Sequence, residues 1–223
     1  QKKVEGHNFD IRKHTVEYDD VMNQQRQVIY GVRKRVLEAA QSKDASLKEE
    51  ILEKIAGEIN SFVIIHSEDG LDAGKIAEEF STIAPVDDDS KKDIESKIST
   101  LPDTFQVSEF LTELAMNFYE QREKQVGEET ARQMEVFVYL NTIDTLWIEH
   151  LDTMDDLRSG IGLRGYAQRD PLIEYKREGF DLFEKLMVEI DYEIVHRIFK
   201  VAVQGSPQPQ QVAVEEKHPE IEE

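Results

Sequence analysis

The sequence predicts an all-α protein: a long first helix, a small helical subdomain, an antiparallel two-helix hairpin and a disordered tail. Three observations carry that prediction. Apolar residues recur at the three- and four-residue spacing of a helix face, and no run sustains the alternation of a strand. Apolar residues make up 39% of the 223 positions and charged residues 33%, a balance suited to amphipathic helices that each bury one stripe. Glycine and proline cluster at a few positions and leave long uninterrupted segments between them.

The first segment runs from Asn8 to about Gln41. Tyr18, Val21, Met22, Gln25, Val28, Ile29, Val32 and Val36 share one face, and Gly31 is the only weak point. Asp44 to Ser46 breaks the pattern. Ser46 with Glu49 then matches a capping box, and Leu47, Ile51, Ile55, Ile59 and Phe62 give a second stripe. The middle is choppier, punctuated by Asp69-Gly70, Gly74, Pro85, Asp87 to Ser90 and Pro102. Ile76, Phe80 and Ile83 form one short stripe there, and Ile94, Ile98 and Leu101 another. From Ser108 a firmer helix carries Leu111, Leu114, Ala115 and Phe118 to about Gln125. This middle region reads as one small helical subdomain.

From Glu128 to about Leu157 a long helix presents Met134, Phe137, Leu140, Ile143, Leu146 or Trp147, His150 or Leu151, Met154 and Leu157. A Gly-rich loop, Ser159 to Arg169, follows. Asp170-Pro171 restarts a helix as N-cap and first-turn proline. Its stripe is Ile173, Phe180, Phe183, Met187, Ile190, Ile194 and Ile198, continuing to about Val201. Two long helices joined by a tight loop fold back as an antiparallel hairpin, here roughly 40 Å long at ~1.5 Å per residue. Gln204 to Glu223 is rich in Gln, Pro and Glu without apolar period, as a flexible linker is.

The chain begins at Gln1 in place of Met, as a piece of a longer protein or a processed product does. A net charge of -20 repels nucleic acid, so none is expected as a partner, and any contact with an anionic lipid surface needs a local basic patch. Cysteine is absent, which excludes disulfides, a thiolate nucleophile and Cys-ligated metal. No apolar run reaches the ~20 residues of a membrane span and no secretory signal is visible, so a soluble intracellular protein is the expectation. There is no Gly-rich phosphate loop and no dinucleotide fingerprint, so no catalytic residue and no cofactor is assigned within this chain. Glu193 and His196 form a single Glu-x-x-His pair, where a di-iron bundle needs two; no metal site is assigned. Glu149, His150, Asp152, Asp155 and Asp156 read as a solvated charged face.

One segment stands against the acidic background. Residues 158–177 carry Arg158, Arg164, Arg169, Lys176 and Arg177 against Asp170 and Glu174. The glycines at 160, 162 and 165 permit backbone angles closed to other residues. The plain reading is a turn whose arginines offset helix C-terminal charge. The sharper reading is a contact tip of Tyr166, Leu163, Ile161 and Arg164, with Gly160, Gly162 and Gly165 as hinges. A tyrosine ring with a polar hydroxyl presses against varied side chains without demanding one sequence. Arg158, Arg169, Lys176 and Arg177 suit an acidic or phosphate-rich docking surface.

Two stretches resemble a known family. Lys3 to Lys13 (Lys-Val-Glu-Gly-His-Asn-Phe-Asp-Ile-Arg-Lys), Glu17-Tyr-Asp-Asp-Val-Met-Asn23, Gln25-Arg26 and Ile29-Tyr30 resemble the start of the long scaffold helix of the SecA preprotein translocase motors. Leu146-Trp-Ile-Glu-His-Leu151, Met154-Asp155, Leu157-Arg158, Gly160-Ile-Gly-Leu-Arg-Gly-Tyr-Ala-Gln-Arg-Asp-Pro171 and Glu174-Tyr-Lys-Arg-Glu178 resemble that family's two-helix finger. His7 stands where many members have arginine, and the family's frequent Cys/His zinc-binding tail has no counterpart here. The middle region matches by position more than by motif.

The resemblance implies a partition. Residues 1–45 and 128–203 correspond to the helical scaffold domain, 46–127 to the helical wing domain and 204–223 to the C-terminal linker. It implies a parent protein whose ATP and Mg lie in nucleotide-binding domains outside this segment. Tyr18, Val21, Met22 and Ile29 would face those domains and the preprotein-binding domain. The implied partners are the SecYEG channel and unfolded preprotein, touched by Tyr166 at the finger tip, with an anionic membrane surface as a further candidate. The implied location is bacterial and cytoplasmic, peripheral to the inner membrane. The rival from another class is a free-standing helical adaptor that dimerises through the stripe of its first helix. A carboxylate metalloenzyme ranks last.

Overall fold

The computed structural model describes residues 2–42, 46–164 and 170–201, with side chains for 16–41, 46–161 and 170–201. Among the described residues there are seven helices and no strand. They are α1 (Lys2–Ser42), α2 (Ser46–Ile65), α3 (Ala73–Ile83), α4 (Asp88–Thr100), α5 (Thr104–Val126), α6 (Glu128–Arg164) and α7 (Pro171–Ile198). The all-α class is thus observed; the expected tail, 204–223, lies outside the described residues. No described helix is long and apolar enough to cross a membrane.

The chain packs as two compact units. One comprises Gln1–Asp44 with Tyr139–Glu193, the other Ala45–Val138 with Ile194–Glu223. The divisions at Val138 and Glu193 fall inside α6 and α7. The start of α6 and the end of α7 therefore pack with the middle helices, whereas the partition above kept each long helix whole.

In the second unit, α2 buries Leu47, Ile51, Ile55, Ile59, Phe62 and Val63, the expected stripe. Three aspartates start the next three helices. Asp72 accepts from the Lys75 N–H at 3.1 Å, Asp87 from Ser90 at 2.7 Å and Asp103 from Gln106 at 2.8 Å. These bonds to backbone N–H groups satisfy donors that a helix start leaves open. They also hold the Asp72 and Asp87 carboxyls below the usual carboxylate range. α5 begins at Thr104, four residues earlier than the stripe suggested, because Asp103 caps it there.

The interior of this unit is partly ionic. Glu135 accepts from the Tyr119 hydroxyl and from Arg132, which also donates to Glu123, and Lys48 reaches Glu123 at 2.6 Å. Burial, followed by the Glu135 charge, pushes the Tyr119 phenol far up, so it stays a hydrogen-bond donor. Arg122 donates to the Val201 carbonyl and Phe199 meets Tyr119 edge-on, so the end of the described chain is held on α5.

Candidate functional site

The first unit contains the residues singled out by sequence. Its three helices pack with readable polarity. Arg33 pairs with Asp144 at 3.0 Å, Gln25 with His150 at 2.9 Å and Asp19 with Arg158 at 3.0 Å, so rising numbers on α1 meet falling numbers on α6. α6 and α7 run antiparallel by the same logic: His150 faces Phe183, the space beside Gly179 is filled by Met154, and Ile161 clusters with Tyr175. The hairpin is therefore present. α1 lies parallel to α7, with Tyr18 against Tyr175 at 4.7 Å between ring centroids and Gln25 bonded to the Gly179 carbonyl.

The site residues of α1 are turned into this unit. Ile29 is buried, and Tyr18, Val21 and Met22 pack on the cluster of Met154, Ile161 and Tyr175. Gln25 and Val36 are buried as well, whereas Val28, another member of the stripe proposed for dimerisation by the adaptor reading, is 47% exposed, so most of that stripe is covered within the chain itself. The apolar residues that α1 leaves exposed are Val16, Val28, Tyr30 and Leu37, joined on α6 by Ile148. Val28 belongs to the stripe read above, whereas Tyr30, Leu37 and Ile148 line one second face that sequence reasoning missed. Its signal was present, since Tyr30 and Leu37 are large apolar residues off the first stripe.

The tip departs from the expected loop. α6 continues to Arg164, so Gly160 and Gly162 are helical positions. Ile161, expected at the contact tip, is 2% exposed among Met154 and Tyr175. Burying one Ile contributes ~1.5–3 kcal/mol, enough to offset the ~1 kcal/mol that each helical glycine costs. For Leu163 and Arg164 only the backbone is described, and Tyr166, Gly165 and Arg169 lie outside the described residues. Past them, Asp170 Oδ1 accepts from the Leu172 N–H at 2.9 Å, so Asp170-Pro171 starts α7 as expected.

Of the cationic candidates, Arg158 is engaged at home by Asp19 and lies 5.8 Å over the Tyr18 ring. Arg177 pairs with Glu174 at 2.6 Å, and Lys176 is exposed. The stripe read for α7 holds at Ile190, Ile194 and Ile198 and fails in its first turns, where the buried residue is Tyr175. Ile173 and Phe180 are 63% and 59% exposed, while Tyr175, Leu186, Ile190 and Ile194 are buried. The charged face around residue 150 also needs correction. Glu149, Asp152, Asp155 and Asp156 are exposed, but His150 is 5% exposed and stacked on Trp147 at 5.5 Å. In the second unit, His196 lies 3.1 Å from the Thr82 hydroxyl.

Comparison with known proteins adds the following. A family described as SecA Wing and Scaffold domain matches residues 1–202. A protein of Thermodesulfovibrio yellowstonii described as protein translocase subunit SecA is 42% identical over 208 residues, 93% of this chain and 22% of that protein. The protein of that description in Chloroflexus aggregans is 38% identical over 216 residues, 97% of this chain and 21% of its own length. Its counterpart in Pelotomaculum thermopropionicum is 40% identical over 216 residues, 95% of this chain and 23% of its own length. The chain thus spans between a fifth and a quarter of the curated relatives it matches.

Proposed function

The chain belongs to the SecA family, and from that premise we propose that it is the mechanical and interaction portion of an ATP-driven preprotein translocase. The observation that carries this reading is the family match over residues 1–202. Residues 1–45 and 128–203 then serve as the helical scaffold domain, 46–127 as the helical wing domain and 204–223 as a linker. No phosphate loop occurs in this chain, so ATP and Mg belong to nucleotide-binding domains of the parent, and the role of these residues is mechanical.

In this reading α1 receives the motion of the nucleotide-binding domains, and the α6–α7 hairpin delivers it to unfolded preprotein at the SecYEG channel on the cytoplasmic face of the membrane. Two features support it. Helices suit force transmission because their backbone hydrogen bonds are internal. α1 is also tied to α6 at three levels, by Asp19–Arg158, Gln25–His150 and Arg33–Asp144. The exposed Tyr30, Leu37 and Ile148 offer the remaining domains of the parent an apolar surface. Lys176, Arg177, Arg158 and Arg169 remain candidates for the channel or an anionic lipid surface, and Tyr166 for the contact with preprotein.

The test restores the segment to the whole motor with Tyr166→Ala. Transport of a preprotein is expected to fall while ATP binding is kept, and Tyr166→Phe should retain most transport because the ring remains. Normal transport by Tyr166→Ala would remove the tip assignment.

A further inference from the structure

One end of the second unit carries an apolar patch that its own core does not use. α2 and α5 pack antiparallel: Lys48 reaches Glu123 at 2.6 Å, and further along Asn60 meets Ser108 at 3.4 Å. Ile64 lies one turn beyond Asn60 and Phe105 one turn before Ser108, so the register sets them level on the same outer seam. Ile65 follows beside Ile64. Ile64 is 51% exposed, Ile65 62% and Phe105 73%. The early start of α5 makes the patch. Its buried stripe begins at Val107, yet the Asp103 cap adds a turn that holds Phe105 out in water. Single exposed apolar side chains are ordinary, whereas large ones at adjoining positions form a surface suited to a partner.

Charge decides what can cover it. Residues 60–72 and 101–115 build this end of the unit. They contain Glu68, Asp69, Asp72, Asp103, Glu109 and Glu113 and no lysine or arginine. Asp72 and Asp103 are engaged as helix caps. Glu68, Asp69, Glu109 and Glu113 are exposed, and Glu109 stands one turn from Phe105 on the same helix face. An anionic lipid surface or a nucleic acid meets repulsion here, and so does a second copy of a chain whose net charge is -20. A peptide with lysine or arginine beside apolar side chains meets attraction. An aromatic anchor supplies the contact, and the charge around it selects the partner.

We propose that Ile64, Ile65 and Phe105, with Glu109 and the Glu68-Asp69 turn as an acidic rim, form a docking surface for a basic peptide segment that bears apolar side chains. The apolar side chains of the segment cover the Phe105 ring, and its cations face the rim. The surface lies within residues 46–127, apart from the hairpin tip, and does not rest on the translocase reading.

The full chain is titrated against a fluorescein-labelled synthetic helical peptide of leucine and lysine, read by fluorescence anisotropy. Two companion probes replace every lysine by glutamate or every leucine by alanine. The leucine–lysine probe is expected to bind, and each companion to bind at least about tenfold more weakly. Phe105→Ser combined with Ile64→Ser should weaken the leucine–lysine probe about tenfold, as loss of one covered aromatic side chain does. Glu109→Lys should weaken it several-fold, and that effect should shrink as NaCl rises from about 50 mM to about 300 mM. Phe137→Ser, at a position 57% exposed in the same unit, controls for general attraction to an acidic chain and should change nothing. All the substituted side chains are exposed, so circular dichroism should show each variant folded. No binding of the leucine–lysine probe, binding that survives the double substitution, an equal loss in Phe137→Ser, or equal binding of the glutamate probe would each overturn the surface. Binding of the chain to phosphatidylglycerol vesicles that the double substitution abolishes would overturn it too, by assigning the patch to lipid. If the double variant does not fold, Glu109→Lys decides, and unchanged affinity rejects the proposal.

Discussion

A β-carbon placed on Gly179 would stand 2.9 Å from Cε of Met154 and 3.6 Å from Cγ1 of Val21, so α7 approaches both neighbouring helices as closely as glycine allows. The Met154 methyl ends a flexible side chain and can give way to one added carbon. Alanine also gains ~1 kcal/mol of helix propensity over glycine. Gly179→Ala is therefore expected to be near neutral in urea unfolding. Gly179→Leu should lose ~1–3 kcal/mol by overpacking, and it moves the carbonyl that Gln25 holds. A leucine variant of unchanged stability would show that the helices do not meet there. The same residue explains a misreading. Glycine adds nothing to an apolar pattern, so Phe180 next to it was read as inward, although 59% of it is exposed. His150 was left open between the α6 stripe and the charged face: four exposed carboxylates surround it in sequence, and only packing decides for the stripe, with its ring against Trp147 and Phe183.

Helix ends were legible where a side chain or a backbone requirement marks them. Gly127, not itself singled out but lying between the helix ends read at about Gln125 and at Glu128, is the clearest backbone requirement. Its φ is +83°, its N–H closes α5 on the Glu123 carbonyl at 2.9 Å, and its own carbonyl accepts from Ala131 in α6 at 3.0 Å. Nothing lies within 4 Å of a β-carbon there, so the cost of a side chain is backbone strain alone. Gly127→Ala should destabilise the second unit by ~1–3 kcal/mol in chemical denaturation. No change would mean that the break between α5 and α6 adapts freely. Asp170-Pro171 was equally readable, since capping and a fixed proline φ are local properties. Other ends depend on tertiary burial. Phe105 is exposed, so the first turn of α5 offers the core little before Val107, and the apolar stripe starts late. The end of α6 went the opposite way. Three glycines within six residues suggest a loop, but the burial of Ile161 against Met154 and Tyr175 carries the helix through two of them. The two-helix hairpin was legible because its loop and cap lie close in sequence.

At the scale of the molecule, the two units were not legible. Each is assembled from separated stretches of chain, and the division between Val138 and Tyr139 occurs inside a helix with no proline, glycine or polar linker to mark it. Net charge, by contrast, is read directly and sets a global property. A charge of -20 on 223 residues makes folding work against self-repulsion. Several ion pairs oppose this, but Arg33–Asp144, Lys34–Glu38, Lys92–Asp89 and Arg158–Asp19 are all substantially exposed. Exposed pairs contribute ~0–1 kcal/mol each and weaken in salt. The repulsion acts among many carboxylates over distances comparable to the Debye length, ~10 Å at 0.1 M, so salt removes much of it. The buried contacts of Glu135 with Tyr119 and Arg132 are shielded from mobile ions and change less. Relief of repulsion should therefore win. The thermal midpoint is expected to rise between about 10 mM and about 150 mM NaCl at neutral pH, as followed by circular dichroism. A falling midpoint would reverse the ranking and mean that the exposed pairs, taken together, outweigh the net charge.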